Sequence, residues 1–331
     1  MIHLKRIALP AGFAALAISQ AAAQPAAPVP VARNGEKPRN VIFILSDDHR
    51  YDFMGFTGAV PWLQTPALDR MAREGACLKN AFVTTSLSSP SRASILTGLF
   101  THTHTVVDNQ APKPDDLVFF PQYLQQNVYR TAFFGKWHMG NQDDMPQPGF
   151  DHWEGFRGQG TYYNTVLNIN GERVKFDPEL YSTDILTDHA IDFVRDNEEG
   201  PFFIYLSYKS VHSGFQPSPS RKGMYKDEKA VYPPSFNVPE YGIPRLPGKD
   251  ADGRPLAGRG WYGESRLPDW VKNQRESWHG VDYQYHGALS YEEDFRNYCE
   301  TVTSMDDAIG RLLDFLQAEG LGESTLVIYM G

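Results

Sequence analysis

The chain has 331 residues, enough for one large core or for a large domain with a smaller one beside it. Its formal net charge of −9 and the lack of a Lys/Arg stripe argue against nucleic acid as a partner. Two cysteines are too few for a disulfide scaffold, and we predict that Cys77 and Cys299 are two buried thiols rather than one bridge.

Residues 1–23 are typical of a secretory signal peptide. Lys5 and Arg6 form a short basic region, an apolar run follows, and Ala21–Ala23 offers small residues for cleavage. Because the apolar run is too short to span a bilayer comfortably, we expect no stable membrane anchor and a periplasmic or secreted protein. Residues 24–38 are predicted to form a flexible leader to the first strand.

Strand and helix patterns alternate after residue 39, which predicts an α/β fold with a large, mostly parallel β-sheet flanked by helices on both faces. Strands are predicted at 40–46, near 79–84, and at 131–135, 201–206 and 325–330. Helices are predicted at 65–75, 91–98, 120–127, 184–197 and 290–319. Residues 213–288 break the pattern as a long insertion rich in Pro, Gly and aromatic residues, either a binding loop or an excursion pinned to the surface.

Two carboxylates follow the first predicted strand. Asp47 and Asp48 come directly after its apolar residues, so they lie beyond the carboxyl end of a strand, where open α/β sheets bind ligands. Such a pair is on its own more often a turn or a helix cap. Carboxylate oxygens favour Ca²⁺, or Mg²⁺, over softer metals, and the pair therefore suggests a divalent-cation site.

A turn rich in Ser and Pro opens the second predicted helix. Ser88 and Arg92 flank Pro90, and Thr97-Gly98 follows at the end of the helix. A hydroxyl and a guanidinium at a helix N-terminus suggest a nucleophile that handles an anion. The alternative is an ordinary Ser/Pro helix cap.

Together, these two segments resemble the type I sulfatases of the alkaline phosphatase superfamily, whose motif reads Cys or Ser, any residue, Pro, any residue, Arg. The resemblance implies that a maturation enzyme converts Ser88 to formylglycine, which attacks sulfur beside a cation held by Asp47, Asp48 and residue 88 itself. Ser in place of Cys fits the Ser-type subset, or a chain that is never matured. Arg92 is expected to hold this residue and the charge around it.

Basic residues after two later strands fit the same resemblance. Lys136 and His138 alternate, so both can point to one side of an extended segment, and the resemblance implies that they bind sulfate oxygens. His212 follows the apolar segment 201–206, and the resemblance implies that it protonates the leaving alcohol. Without this context, each would be interpreted as an exposed polar residue or a lone structural histidine.

His102 and His104 follow the nucleophile helix and are candidates for substrate contact or for a structural role. Similar sulfatases carry Gly after this His-x-His, where this chain has Thr105. Residues 108–109 could also contact substrate. The loop 157–163 is a further, weaker candidate: its small and aromatic residues are typical of a pocket lining.

The last predicted strand resembles the family strand that is followed by Asp-Asn, the remaining metal ligands, whereas Gly331 is the final residue here. A later Lys and a smaller C-terminal domain of the family are also absent, so residues 39–331 are expected to be an incomplete catalytic domain. Asp306 and Asp307 are predicted to lie in the middle of a helix, as exposed charges or partners of Arg311.

The leading hypothesis is a sulfuric ester hydrolase that acts on a sulfated sugar or an aryl sulfate, similar to arylsulfatases and N-acetylglucosamine-6-sulfatases. A phosphodiester or phosphonate monoester hydrolase of the same superfamily is the second hypothesis, and unmodified Ser88 would suit it better. The third is a truncated, inactive binding protein. Formylglycine at Ser88 would favour the first hypothesis over the second.

Overall fold

The computed structural model describes residues 38–140, 143–197, 200–232 and 291–331. Three predictions lie wholly or mostly outside these described residues: the signal peptide 1–23, the leader 24–38 and the insertion 213–288, of which 213–232 is described. In the described part of the chain, no helix is both long and apolar enough to cross a membrane.

A seven-stranded sheet forms the centre of the described structure. The strands are β1 Asn40–Leu45, β2 Arg130–Lys136, β3 His152–Phe156, β4 Val166–Ile169, β5 Glu172–Lys175, β6 Phe202–Ser207 and β7 Thr325–Met330. Their order is β5-β4-β3-β2-β6-β1-β7. The neighbouring strands β3, β2, β6, β1 and β7 pair in parallel. At one edge of the sheet, β4 pairs antiparallel with β3, and β5 pairs antiparallel with β4.

Helices cover both faces of the sheet, as the sequence predicts. They are α1 Pro66–Glu74, α2 Ser88–Thr97, α3 Thr101–His104, α4 Phe120–Gln126, α5 Ser182–Arg195 and α6 Tyr291–Ala318, with 3-10 turns at Gly55–Thr57 and Gly322–Ser324. Successive residues of a strand face opposite sides. Phe134 therefore packs in the core with α1, α5 and α6, and Phe133 packs in the core with α2 and α4.

The central strands bring three chain segments to one edge of the sheet. Leu45 at the end of β1 lies beside Ser207 of β6, and Gly135 of β2 lies on the other side of Ser207. Gly135 has a φ of 106°, and a Cβ at this position would overlap the carbonyl oxygen of Ser207. Only glycine therefore allows β2 to approach β6 at this point, directly before Lys136.

Four of the five predicted strands are confirmed, with ends within one residue, because each is a largely apolar run. The strand predicted near 79–84 is wrong. These residues form no regular structure, and Phe82 is 91% exposed since no helical layer covers it. Cys77, in the same exposed stretch, is not buried as predicted, whereas Cys299 is buried and both thiols are free.

Acidic residues of α6 hold other segments in place, and the interpretation of Asp306 and Asp307 as exposed charges or partners of Arg311 is wrong. Asp306 is fully buried, and its two carboxylate oxygens accept hydrogen bonds of 2.9 and 2.8 Å from the backbone N–H groups of residues 67–68. These N–H groups open α1 and have no partner within that helix. Asp307 pairs with Arg221 at 2.5 Å, while Arg311 pairs with two carboxylates of α5.

The described part of the predicted insertion packs against α6. The Glu300 carboxylate accepts hydrogen bonds from the backbone N–H groups of Gly223, at 2.9 Å, and Tyr225, at 3.1 Å. The Tyr225 hydroxyl also lies 2.9 Å from Thr303 Oγ1. These contacts pin the first part of the insertion to the helix that follows it in sequence.

Candidate active site

Side chains from four segments meet beyond the carboxyl ends of β1, β2 and β6. Asp47 follows β1, Arg92 lies on α2, Lys136 ends β2 and Ser207 ends β6. Lys136 Nζ donates a hydrogen bond to Asp47 Oδ2, and Arg92 Nη2 lies 3.4 Å from Asp47 Oδ1. Arg92 Nη1 donates to Ser207 Oγ at 2.6 Å and to the Lys136 carbonyl oxygen at 2.7 Å. One guanidinium therefore ties three segments together.

The cluster is a buried set of opposite charges. Burial alone would raise the pKa of Asp47, but the positive charges of Lys136 and Arg92 outweigh it and hold this pKa at about 2. Burial lowers the pKa of Lys136 to about 8, against the opposing effect of Asp47. Both groups are therefore ionised at neutral pH, and each depends on the other to remain charged in the interior.

Ser88 is the first residue of α2, and its Oγ lies 3.4 Å from Lys136 Nζ. Two hydrogen bonds of Ser89 hold the start of α2 in place. Ser89 N–H donates to Asn109 Oδ1 at 2.9 Å, and the Ser89 hydroxyl donates to the carbonyl oxygen of His138. Asn109, predicted as a possible substrate contact, thus uses its carbonyl oxygen to hold the residue after Ser88.

Lys136 makes a third contact, to the loop that was the weakest sequence candidate. Its Nζ donates to Gln159 Oε1 at 2.5 Å. The ammonium group has three donors and is surrounded by three oxygens, those of Asp47, Ser88 and Gln159. Gln159 therefore fixes the direction in which this ammonium points.

His138 lies next to the cluster in a neutral state. Burial, with the positive charges of Lys136 and Arg92, lowers its pKa to about 3. Its Nδ1 atom is buried without a hydrogen-bond partner, as is Arg92 Nε, within the part of the chain that the structure describes. A buried nitrogen without a partner is unusual in a folded protein and calls for an explanation.

The turn that carries His212 is fastened to the backbone of Asp47. Asp47 N–H donates to Ser210 O at 2.8 Å, and Val211 N–H donates to Asp47 O at 2.9 Å. His212 Nε2 is then 3.5 Å from Asp48 Oδ2. Burial lowers the pKa of His212, while the negative charge of Asp47 raises it.

The oxygens available for a cation are those of Asp47, Asp48 and Ser88. Asp48 has a left-handed φ of 60° and directs a largely exposed carboxylate towards His212. Hard oxygen donors fit Ca²⁺ or Mg²⁺, but they are fewer than the six or so that Ca²⁺ takes. Among the described residues, no group of three or more His, Cys, Asp and Glu side chains is arranged to hold a metal ion. The donor set fits in kind and is partial in number.

His102 and His104 are not brought into this cluster. His104 is fully buried: its Nε2 lies 3.0 Å from Ser94 Oγ, and its Nδ1 accepts a hydrogen bond of 3.1 Å from Val106 N–H. Both of its ring nitrogens are thus used inside the fold, which favours the structural alternative of the two that the sequence left open. His102 is exposed and stacks on Phe100, with ring centroids 5.9 Å apart, so substrate contact by His102 stays a prediction.

Sequence reasoning missed Ser207 and Lys209 in this region. Ser207 is a polar residue that closes an otherwise apolar, buried strand, and that pattern was the signal available for it. Lys209 is a buried cation two residues further along, in the segment that leads to His212. In the sequence, Lys209 could have been noticed as a single charged residue in an otherwise uncharged segment before His212.

Residues 39–331 match the family model for sulfatases. The chain belongs to the sulfatase family. It is 31% identical over 329 residues to the N-acetylglucosamine-6-O-sulfatase of Bacteroides thetaiotaomicron, covering 88% of this chain and 57% of that protein. It is 26% identical over 321 residues to the N-acetylglucosamine-6-sulfatase of Capra hircus, covering 90% of this chain and 51% of that protein.

A solved structure of a protein bound to its substrate, D-glucosamine-2-N,6-O-disulfate, superposes on this sulfatase with a TM-score of 0.67 at 29% identity. The match covers 88% of this chain and 65% of the other. The predicted fold class, a mostly parallel sheet with helices on both faces, is thereby confirmed. The chain spans little more than half the length of the two curated relatives named above.

Proposed function

We propose that this chain carries the catalytic cluster of a sulfuric ester hydrolase that removes sulfate from a sulfated carbohydrate or an aryl sulfate. One observation carries the proposal: the Lys136 ammonium contacts both the Asp47 carboxylate and the Ser88 hydroxyl at the start of a helix. A buried cation beside a nucleophile position at a helix N-terminus is suited to an anionic ester.

The relatives support a sulfated amino sugar as the substrate class. Two of them are named for N-acetylglucosamine 6-sulfate chemistry, and a solved structure similar to this chain holds a glucosamine with two sulfates. We infer that a 6-O-sulfated glucosamine is the first substrate to test on this chain.

The proposed chemistry needs two groups besides the encoded side chains. When Ser88 is converted to formylglycine and a divalent cation, Ca²⁺ or Mg²⁺, is bound, they supply the nucleophile and its activation. Asp47, Asp48 and residue 88 would hold the cation, since they provide hard oxygens at one place. The conversion requires a formylglycine-generating maturation enzyme as a partner.

The other residues act on the charges of the ester. Lys136 and His138 are suited to bind sulfate oxygens, because one is an ammonium beside Ser88 and the other has a buried ring nitrogen without a partner among the described residues. Arg92 holds Asp47 and the end of β2 in register. His212 delivers a proton to the leaving oxygen; burial lowers its pKa, and the carboxylates of Asp47 and of Asp48, 3.5 Å from its Nε2, oppose that effect.

The first experiment joins a chemical test to an activity test. We expect mass spectrometry of the peptide that contains Ser88 to show the loss of two hydrogen atoms, and the purified chain with Ca²⁺ to hydrolyse an aryl sulfate. Ser88→Ala should abolish turnover, while Ser86→Ala, at an exposed position just before α2, should not. Turnover that survives Ser88→Ala would contradict the proposal.

A phosphodiester or phosphonate monoester hydrolase is the second candidate. The observation that favours it is the encoded hydroxyl of Ser88 beside Lys136, which can attack phosphorus without conversion. An unmodified Ser88 together with turnover of a phosphonate ester but not of a sulfate ester would support this candidate. Binding of a sulfated sugar without turnover of either ester would support the inactive binding protein.

We also propose that the protein is periplasmic or secreted. The proposal rests on the basic and apolar pattern of residues 1–23, which is typical of a secretory signal peptide. Fractionation of cells that express the full chain tests it, with N-terminal sequencing to locate cleavage near Ala23. Recovery of uncleaved protein in the cytosol would contradict it.

A further inference from the structure

A second lysine, Lys209, lies buried beside the catalytic cluster and takes no part in the chemistry described above. It is 7% exposed, and its Nζ lies 4.9 Å from the ring centroid of Tyr162. Within the described ranges of the chain, its ammonium makes no ion pair or hydrogen bond. A cation–π contact offsets only a small part of the unfavourable free energy of burying an ammonium.

The position of Lys209 relative to His212 is fixed. The Lys209 carbonyl oxygen accepts a hydrogen bond of 2.9 Å from His212 N–H. The ring of Tyr162 contacts the Lys209 ammonium, and the hydroxyl of the same tyrosine donates a hydrogen bond of 2.7 Å to the His212 carbonyl oxygen. Lys209, Tyr162 and His212 therefore form one closed set of contacts, on the side of the site where the leaving oxygen takes its proton.

The charge of Lys209 is in excess. Burial lowers the pKa of Lys209, and the negative charges of Asp47 and Asp48 oppose that effect. The two carboxylates face three cations in this region, Arg92, Lys136 and Lys209, so one positive charge remains uncompensated by the encoded side chains. A buried cation without a counter-charge is destabilising on its own, which points to a bound anion as its partner.

We propose that Lys209 binds a second anionic group of the substrate, a sulfate or carboxylate carried by the part of the sugar that leaves. The inference rests on the proposed function, because it requires a sulfated sugar in this site. It differs from the role of Lys136, which lies beside Ser88 and faces the ester that is cleaved.

Binding to a variant that cannot turn over substrate tests the inference directly. In a Ser88→Ala background, we expect D-glucosamine-2-N,6-O-disulfate to bind about tenfold more tightly than D-glucosamine 6-sulfate by calorimetry. Lys209→Met should remove this preference and leave affinity for the monosulfate unchanged. Lys209→Arg should retain part of the preference, and Lys222→Met, at an exposed lysine, should retain all of it.

Thermal unfolding separates a binding role from a structural one. Because Lys209 has no ion-pair partner among the described residues, Lys209→Met should unfold at the same temperature as the parent or higher. An equal loss of affinity for both sugars would assign Lys209 to the transferred sulfate and overturn the inference, as would an unchanged preference. If the parent protein binds neither sugar, the proposed function fails and the inference fails with it.

Discussion

At the scale of single residues, Lys136 is the centre of the candidate site. It is completely buried, it neutralises Asp47, and it contacts Ser88 and Gln159 as well. Its neighbour Gly135 allows β2 to come close enough to β6 for this to happen. The position of one ammonium thus depends on a glycine whose own role is only steric.

Lys136→Met should both destabilise the fold and abolish turnover. It leaves the Asp47 carboxylate buried with only Arg92 beside it, and we expect the free energy of unfolding to fall by about 3 kcal/mol. Urea unfolding followed by circular dichroism measures this change, with Lys222→Met as the exposed control. A variant as stable as the parent would show that Lys136 is not needed to neutralise Asp47.

At the scale of elements, α6 is joined to distant segments by buried acidic side chains. Asp306 receives the free N–H groups of α1, and Glu300 receives those of the segment around Tyr225. Elsewhere in the fold, the Glu154 carboxylate of β3 joins two histidines. It lies 2.8 Å from His152 of the same strand and 2.6 Å from His189 of α5. Each of these carboxylates supplies a contact between segments that the helices and strands do not provide by themselves.

Asp306→Asn should lower the free energy of unfolding by about 1–3 kcal/mol, because the amide has one acceptor oxygen and turns an N–H group towards a backbone N–H. Burial raises the pKa of Asp306 to about 7. Denaturant unfolding is therefore measured at about pH 8, where the variant is compared with a parent protein whose Asp306 is mostly ionised. Asp314→Asn, an exposed position on the same helix, should change stability by less than about 0.5 kcal/mol. Equal effects of the two substitutions would refute the capping role.

His189 should make stability depend on pH. Its hydrogen bond to Glu154 raises its pKa above the ordinary value of 6.5, so the folded state holds the proton more tightly than the unfolded state. The stabilisation is fully present below about pH 6.5 and is lost as pH rises through the folded pKa. His189→Gln should therefore lower the melting temperature more at about pH 6 than at about pH 9. A difference independent of pH would be evidence against this ion pair.

At the scale of the whole molecule, the sheet brings together residues that are far apart in sequence. Asp47, Ser88, Lys136 and His212 come from four separate segments, and parallel pairing places the ends of β1, β2 and β6 side by side. The proposed cation would bind where these ends meet. Its binding free energy would therefore add to the stability of the complete fold.

Adding Ca²⁺ should raise the melting temperature, and a chelator should reverse the change. At about 100 times the dissociation constant, the gain in free energy of unfolding is about 2.7 kcal/mol. Asp47→Asn should abolish the shift relative to its own metal-free baseline, whereas Asp116→Asn, an exposed carboxylate, should retain it. Equal shifts in both variants would locate the cation elsewhere.

The sequence predicted what local patterns determine. Continuous apolar runs gave β1, β2, β6 and β7, and helical spacing gave α6 almost to its ends. Features that depend on contacts between distant segments were not predictable: the reach of Gln159 to Lys136 and the burial of Asp306. β3 was also missed, since it contains Gly155 and charged residues that interrupt a strand pattern.

The place of β1 in the sheet has a consequence for the order of folding. Val41 lies beside Phe203 on one side and Leu326 on the other, so the first of the described strands is enclosed by two described strands that come much later in the sequence. Pairing over such sequence separations is slow. We expect the nascent chain to stay open until most of it has been made, which suits passage through a translocation channel and gives a modifying enzyme time to reach Ser88 while it is still extended.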